Sequence, residues 1–190
     1  MNKLLTMALA VALITACAAP APVSNERNEK TVFVTSVSFY GNLGGLKGAD
    51  DKCQAQADDS ASIVPSGNYL AWLSDGTDSP DTRFKKSSHP YVLPDGTKIA
   101  ENYTDLTDGS IQHFINIDPT GKPVGQNPFW TGTNEDGTTA QPFRTCNGWM
   151  DPITNLRGMV GSTGHTLTLW SSQSHRRCST APQRLACFQQ

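Results

Sequence analysis

Hydrophobic and polar residues alternate in short runs along most of this chain, a pattern that predicts many short strands and one clear helix. Residues 31–37 (TVFVTSV) carry β-branched and aromatic side chains on both alternating faces, as expected of a strand covered on both sides. From Leu46 to Ala57 the apolar residues recur at helical spacing, which predicts an amphipathic helix with Cys53 on its buried side. Residues 68–73 (NYLAWL) predict the next core strand.

The later part of the chain continues in short β-favouring segments separated by glycine and proline turns. Pro94-Asp95-Gly96 stands between two such segments and predicts a hairpin, because proline presets φ, aspartate hydrogen-bonds locally and glycine accepts positive φ. Further strand signals lie at residues 111–117, 129–131, 157–160, 166–170 and 185–188. Together with the single early helix, they predict an α+β fold with a mostly antiparallel sheet.

Residues 129–149 (FWTGTNEDGTTAQPFRTCNGW) are the segment around which the domain is organised. An aromatic strand signal leads into a polar loop, and the loop returns to a cysteine with a tryptophan three residues later. This order predicts a core strand followed by a long surface loop, residues 131–144, that is pinned where it returns.

The N-terminus predicts export and lipid attachment. Lys3 and the apolar run that follows fit a secretory signal over residues 1–16, and this run is too short to span a bilayer as a helix. Ile14-Thr15-Ala16-Cys17 resembles a bacterial lipobox, in which the cysteine is acylated. The alternative is an ordinary signal peptide that happens to contain a cysteine. We expect residues 17–30 to be a lipidated tether, residues 31–190 to be one domain, and the protein to be anchored in the bacterial envelope, at the outer membrane, as Ala18 favours.

Charge and cysteine content narrow the class of protein. The formal net charge of −2 leaves no basic footprint, so nucleic acid is not an expected partner. Five cysteines become four once Cys17 is assigned to lipid, and an even number in an exported chain predicts two disulfides with three possible pairings. Zinc is the competing use, but the chain has no C-x-x-C motif and its histidines lack ligand spacing.

Several motifs resemble one family. They are GADDKCQAQADDS (residues 48–60), GNYLAWLSD (67–75), FWTGTNEDGT (129–138), CNGW (146–149) and the closing Cys178 and Cys187. In combination they resemble a bacterial lipoprotein domain family of unassigned function that is similar to endostatin and has the C-type-lectin-like fold. The resemblance covers about residues 31–190. It implies a nested pairing of Cys53 with Cys187 and of Cys146 with Cys178.

This chain lacks the sequence motifs of the known ligand sites of that fold. Sugar-binding members that use calcium have a Glu-Pro-Asn or Gln-Pro-Asp triplet and a later Trp-Asn-Asp. This chain has Gln141-Pro142-Phe143, which places an aromatic ring where an oxygen ligand is needed, and no aspartate adjoins Asn147-Gly148-Trp149. The histidine-rich zinc site and the arginine patch of endostatin are not evident either. We therefore expect no cofactor and no heparin-like ligand, with calcium the ion to test.

The candidate ligand-binding residues are Asn134, Glu135, Asp136 and Arg144, all in the long loop. Oxygen-bearing side chains at 134–136 suit a calcium ion or a sugar, although such clusters also occur simply as turns. The four tryptophans are expected in the core. Arg176-Arg177 is a candidate anion clamp, with solvated surface as the alternative.

Two functional classes follow from these observations. The first is a non-catalytic surface lipoprotein that binds a protein or glycan of the host or the envelope through the long loop. The second is an envelope hydrolase that uses His165 or His175 with a nearby carboxylate, which requires the two groups within hydrogen-bond reach in a cleft. A structural envelope protein without a small-molecule site is the third alternative.

Overall fold

The computed structural model describes residues 28–141, 143–151 and 155–190, and this part of the chain has an α+β fold. The predicted signal sequence, Cys17 and residues 18–27 of the predicted tether lie outside the described residues. The strands are β1 (Lys30–Val34), β2 (Tyr69–Ala71), β3 (Tyr91–Val92), β4 (Lys98–Ala100), β5 (Pro128–Trp130), β6 (Arg157–Ser162), β7 (Ser174–Arg177) and β8 (Arg184–Gln189). The helices are α1 (Gly45–Ala57), α2 (Pro80–Arg83), α3 (Tyr103–Leu106) and a 3-10 helix (Thr168–Trp170).

The last strand, β8, lies at the centre of a mostly antiparallel sheet. The strand order is β4-β3-β1-β8-β5-β6-β7, and β2 also pairs with β8. Two of the strand pairs, β1 with β3 and β5 with β8, are parallel, and the others are antiparallel. The chain therefore places its final strand between its first strand and the strand that leads into the long loop.

Alternation along β1 and β8 sends side chains into two cores, one on each face of the sheet. Val32, Val34 and Phe188 join a first cluster around Trp72 and Trp170. The second cluster contains Trp130, Trp149 and all four disulfide cysteines, with Phe33 and Leu185 from the same two strands. All four tryptophans are fully buried, as expected from the sequence.

Two disulfides join distant parts of the chain inside the second core. Cys53 on α1 bonds to Cys187 on β8, and Cys146 at the end of the long loop bonds to Cys178 just after β7. This is the nested pairing that the family resemblance implies.

Helix α1 is fixed against the sheet by polar contacts as well as by Cys53. Asp50 accepts the backbone N–H of Ala71 through Oδ1 at 2.9 Å and forms an ion pair with Arg83 through Oδ2. Arg83 also donates to the carbonyl of Leu73 at 3.2 Å. These bonds tie α1, β2 and α2 together.

Two predicted strands are wrong and one strand was not predicted. Residues 111–117 form only isolated bridges, because three consecutive exposed residues (112–114) interrupt the buried isoleucines. Residues 166–170 end in the 3-10 helix, with Leu167 and Leu169 exposed rather than alternating with buried residues. Strand β7 has the sequence SHRR, a polar edge strand without a hydrophobic alternation to predict it. Across the described residues, no helix is long and apolar enough to cross a membrane.

Candidate functional site

The tip of the long loop is a closed polar turn. Asp136 Oδ1 accepts hydrogen bonds from the backbone N–H of Thr138 at 2.9 Å and from its hydroxyl at 2.6 Å. Asn134 Nδ2 donates to Thr138 Oγ1 at 3.2 Å, and the carbonyl of Asn134 accepts the N–H of Gly137 at 3.1 Å. Much of the polar capacity of Asn134 and Asp136 is therefore used to hold the turn. Among the described residues, no group of three or more His, Cys, Asp or Glu is placed to hold a metal ion.

The base of the loop is buried and hydrogen-bonded to the rest of the domain. Thr131 Oγ1 donates to the carbonyl of Ser171 at 2.8 Å, and the hydroxyls of Ser74 and Thr133 share a hydrogen bond of 2.8 Å. Trp149 Nε1 donates to the carbonyl of Ser74 at 2.7 Å. The loop is thus a fixed platform rather than a freely extended segment.

The loop returns through a turn of unusual backbone geometry. Cys146, Asn147, Gly148 and Trp149 have φ of 50°, 55°, 63° and 63°, so four consecutive residues are left-handed. This conformation costs L-residues roughly 1–2 kcal/mol each and normally occurs at single positions. The turn is closed by hydrogen bonds from the N–H of Trp149 to the carbonyl of Thr145, at 2.6 Å, and from the N–H of Gly148 to Thr145 Oγ1, at 3.2 Å.

Both ends of this left-handed turn are anchored in the second core. Cys146 is held by its disulfide to Cys178. The buried ring of Trp149 packs on Trp130 with centroids 5.5 Å apart and donates its N–H to Ser74. The anchors hold the strained backbone in place, so that Asn147, between them, is presented to solvent.

An open cleft of about 490 Å³ lies beside this turn. Its walls are formed by Asp75, Phe143, Thr145, Asn147, Gly148, Asp151 and Leu156. Phe143 is 71% exposed, which is far from the usual burial of an aromatic ring. The cleft therefore combines an exposed aromatic surface with carboxylate, amide and hydroxyl groups.

The polar groups of the cleft retain capacity for a ligand. Asp75 Oδ1 accepts the N–H groups of Thr77 and Asp78, both at 2.8 Å, which fixes the carboxylate without using Oδ2. Within the described part of the chain, the side chains of Asn147 and Asp151 form no hydrogen bond or ion pair. A ligand with several hydroxyl or amine groups can satisfy these atoms without displacing an existing contact.

Arg144 is separated from the other predicted ligand-binding residues. Its guanidinium carbon lies 5.3 Å from the centroid of the Phe143 ring, and its carbonyl accepts the N–H of Met159 at 2.8 Å. No hydrogen bond or ion pair in the described residues joins it to Asn134, Glu135 or Asp136. The structure therefore divides the predicted site into the loop tip and a region around Phe143 and Arg144.

The histidines lie elsewhere. All four histidines are among the described residues, and none of them lines the cleft. His175 lies on β7 opposite Met159, and its pKa is lowered by partial burial of the ring and then by the nearby guanidinium groups of Arg144, Arg157 and Arg176. Among the described residues, the groups that shift its pKa are arginines, with no carboxylate.

The cleft adjoins the loop that the sequence predicts as the binding region, but sequence reasoning did not identify the cleft residues. No motif in the sequence singles out Asp75, and Phe143 stands out only as a departure from a calcium motif. The available signal is the aromatic residue in an otherwise polar loop, three residues before the Cys-Asn-Gly-Trp turn. Asp75 and Asp151 come to the cleft from widely separated parts of the sequence, so spacing alone does not reveal them.

Comparison with known proteins places the chain in a family without assigning an activity. No curated protein matches the chain. A family described as "Protein of unknown function (DUF1554)" matches residues 36–166, which include α1, the long loop and both anchors of the left-handed turn. The chain therefore belongs to this DUF1554 family.

Proposed function

We propose that this protein is a non-catalytic binding module of the bacterial envelope, and that its ligand is a glycan or a glycan-bearing protein. The observation that carries the proposal is the open cleft in which the exposed ring of Phe143 faces the same space as Asp75, Asn147 and Asp151. Sugars present both an apolar face and a set of hydroxyl groups, and this lining offers a partner for each.

The rigidity of the cleft supports a binding role. The base of the loop is buried, and the left-handed turn is held by a disulfide at one end and by a buried tryptophan at the other. A preorganised site loses little conformational entropy when a ligand binds, which favours affinity. This arrangement suits a surface that binds a ligand without catalysing a reaction.

The C-type-lectin-like fold and the envelope location belong to the same proposal. The early helix, the mostly antiparallel sheet, the two nested disulfides and the long loop are the features on which the likeness to that fold rests. The lipobox-like residues 14–17 support a lipid anchor at Cys17 and a position on the outer membrane. The two disulfides support an exported protein, because disulfides form in oxidising compartments.

An envelope hydrolase is the alternative. It requires a histidine within hydrogen-bond reach of a carboxylate in a cleft, and this requirement has little support. In the described residues, neither His165 nor His175 forms an ion pair or a hydrogen bond with a carboxylate. General base catalysis by histidine needs an orienting partner and a cleft within reach. The positively charged surroundings of His175 favour a binding surface over a catalytic pair.

The proposal is tested by screening the full chain, purified with intact disulfides, on glycan and extracellular-matrix arrays with and without calcium. We expect binding that falls at least tenfold for Phe143→Ala and for Asn147→Ala, while Asp136→Asn at the loop tip serves as the matched control and retains binding. Full binding by both cleft variants would exclude the cleft as the site. Binding that requires calcium would instead point to the loop tip.

A further inference from the structure

The cleft beside the left-handed turn carries negative charge. Among the described residues that line it, Asp75 and Asp151 have carboxylates, and none is a lysine, an arginine or a histidine. No ion pair of the described residues includes either carboxylate. Residues 142 and 152–154, which adjoin Phe143 and Asp151 in the sequence, are proline, proline, isoleucine and threonine, so they supply no counter-charge. A neutral ligand would therefore leave both carboxylates unbalanced.

Asp75 presents one carboxylate oxygen in a fixed position. Its Oδ1 accepts the N–H groups of Thr77 and Asp78, and its own N–H donates to the carbonyl of Asp78 at 3.1 Å. The preceding residue, Ser74, is buried and accepts the indole N–H of Trp149 at 2.7 Å. Oδ2 of Asp75 forms no hydrogen bond or ion pair with another described residue. A cationic donor meets this oxygen without first ordering the side chain.

The aromatic wall of the cleft is compatible with a cationic ligand. The guanidinium carbon of Arg144 lies 5.3 Å from the centroid of the Phe143 ring, and the ring is still 71% exposed. Arg144 forms no ion pair with Asp75 or Asp151, so its charge does not neutralise them. Aromatic rings attract cations and also pack on the apolar face of a sugar.

We infer that the cleft selects a glycan with a free amino group, that is, an amino sugar whose nitrogen is not acylated. Asp75 and Asp151 bind the ammonium group, and Phe143 packs on the sugar ring. This inference rests on the proposed function, because it names the class of ligand for the same cleft. The cleft volume of about 490 Å³ lies within the range of roughly 300–1,000 Å³ that is usual for small-molecule sites.

The charge of the amine is the basis of the selectivity. An ammonium group has three N–H donors and no acceptor, so it matches open carboxylate oxygens. Hydrogen bonds between ionised partners are also roughly twice as strong as those between neutral partners. An acylated nitrogen is uncharged and has a single N–H donor, and its acyl group occupies the space beside the carboxylates.

A lysine side chain and a calcium ion are the competing occupants. A lysine side chain carries the same ammonium group but has no hydroxyl groups to bond the open amide of Asn147. A calcium ion needs six to eight oxygen ligands, and no group of three or more His, Cys, Asp or Glu in the described part of the chain is placed to hold a metal. An amino sugar uses the carboxylates, the amide and the exposed ring together.

The test is calorimetric titration of the full chain, with intact disulfides, with a glucosamine tetrasaccharide and its fully N-acetylated counterpart at the same ionic strength. We expect the free amine to bind at least about tenfold more tightly, as hydrogen bonds to charged groups imply. Asp75→Asn and Asp151→Asn should each remove most of this preference. Asn at position 75 keeps an Oδ1 that accepts the N–H groups of Thr77 and Asp78, so the variant loses the charge and retains the turn.

Asp95→Asn is the matched control. Asp95 is exposed, lies outside the cleft lining, and accepts the N–H of Thr97 through Oδ1 at 2.9 Å in a turn of the same kind. The substitution removes the same charge from the protein, and the preference for the free amine should remain. Thermal unfolding shows that all three variants are folded.

The outcomes separate this inference from the proposed function. Equal affinity for the two tetrasaccharides, or an equal loss of preference in Asp95→Asn, overturns the inference and leaves the cleft as a site for neutral sugars. Tighter binding of a trilysine peptide, or displacement of the glucosamine tetrasaccharide by calcium, overturns it in favour of that occupant. Binding of neither tetrasaccharide overturns it too, and the glycan arrays then decide the proposed function independently.

Discussion

At the scale of single residues, the pKa of His175 depends on the charged groups around it. Partial burial of the ring lowers its pKa from the ordinary value of 6.5, and Arg144, Arg157 and Arg176 lower it further. Arg177 lies on the same strand face as His175. The folded protein therefore favours the neutral ring.

We predict that the pKa of His175 lies below its ordinary value of 6.5 and rises in Arg157→Gln, because the substitution removes one repelling cation. NMR titration of the imidazole protons measures the pKa in both proteins, and Lys122→Gln is the control that leaves it unchanged. A pKa of His175 at or above 6.5 would contradict this description of its surroundings.

The lowered pKa of His175 determines how its contribution to the folding stability changes with pH. The unfolded chain binds a proton at His175 near pH 6.5, whereas the folded chain does so only at lower pH. The contribution is therefore complete above pH 6.5 and is lost as the pH falls through the pKa of the folded state. His175→Gln should reduce the acid sensitivity of the unfolding midpoint in this window.

The position of a residue in the fold is predictable from the sequence where periodicity determines it, and not where strand register determines it. Cys53 is predictable because it falls on the apolar stripe of an amphipathic helix. Arg144, Arg157 and His175 are separated along the chain, and only the register of β6 with β7 and of Thr145 with Gly158 brings them together. A polar edge strand has no hydrophobic alternation to fix that register in advance.

At the scale of the element, the left-handed turn over residues 146–149 combines local strain with tertiary anchoring. Gly148 has φ of 63°, and a Cβ placed on it would contact nothing within 4 Å. The cost of a side chain there is therefore conformational and not steric. Asn147, at φ of 55°, is of a residue type that tolerates this region better than most.

We predict that Gly148→Ala destabilises the domain by about 1–2 kcal/mol, the usual cost of a left-handed alanine. Chemical denaturation of the full chain measures the change. Gly164→Ala is the control, because Gly164 does not have a positive φ and the nearest atoms to its added Cβ would belong to the flexible side chain of Gln126. Equal stability of Gly148→Ala and the parent protein would show that this turn is not held in the left-handed conformation.

Whether the sequence predicts a helix or a strand correctly depends on how that element buries its side chains. Helix α1 and strands β1 and β8 follow from periodicity because each packs one or both faces on a core. The 3-10 helix at Thr168–Trp170 buries Trp170 while Leu167 and Leu169 remain exposed, so its composition suggests a strand that tertiary packing does not form. Composition therefore predicts a strand only where its side chains are also packed against a core.

At the scale of the whole molecule, the two disulfides close loops of very different length. Cys53 and Cys187 are 134 residues apart, and Cys146 and Cys178 are 32 apart. On the chain-entropy account, these bridges restrict the unfolded chain and contribute about 5 and about 4 kcal/mol, respectively. Only the shorter one is attached to the left-handed turn beside the cleft, so the two bridges should have separable effects on stability and binding.

We predict that Cys53→Ala/Cys187→Ala lowers the free energy of unfolding by about 5 kcal/mol and leaves the ligand affinity of the folded fraction unchanged. Cys146→Ala/Cys178→Ala should lower it by about 4 kcal/mol and also weaken ligand binding, because Cys146 no longer anchors the backbone that presents Asn147 to the cleft. Denaturant unfolding and binding at a temperature where each variant is folded provide the two measurements, and each double variant serves as the other's control. If both bridges affected binding in proportion to stability alone, the shorter disulfide would have no particular role in shaping the cleft.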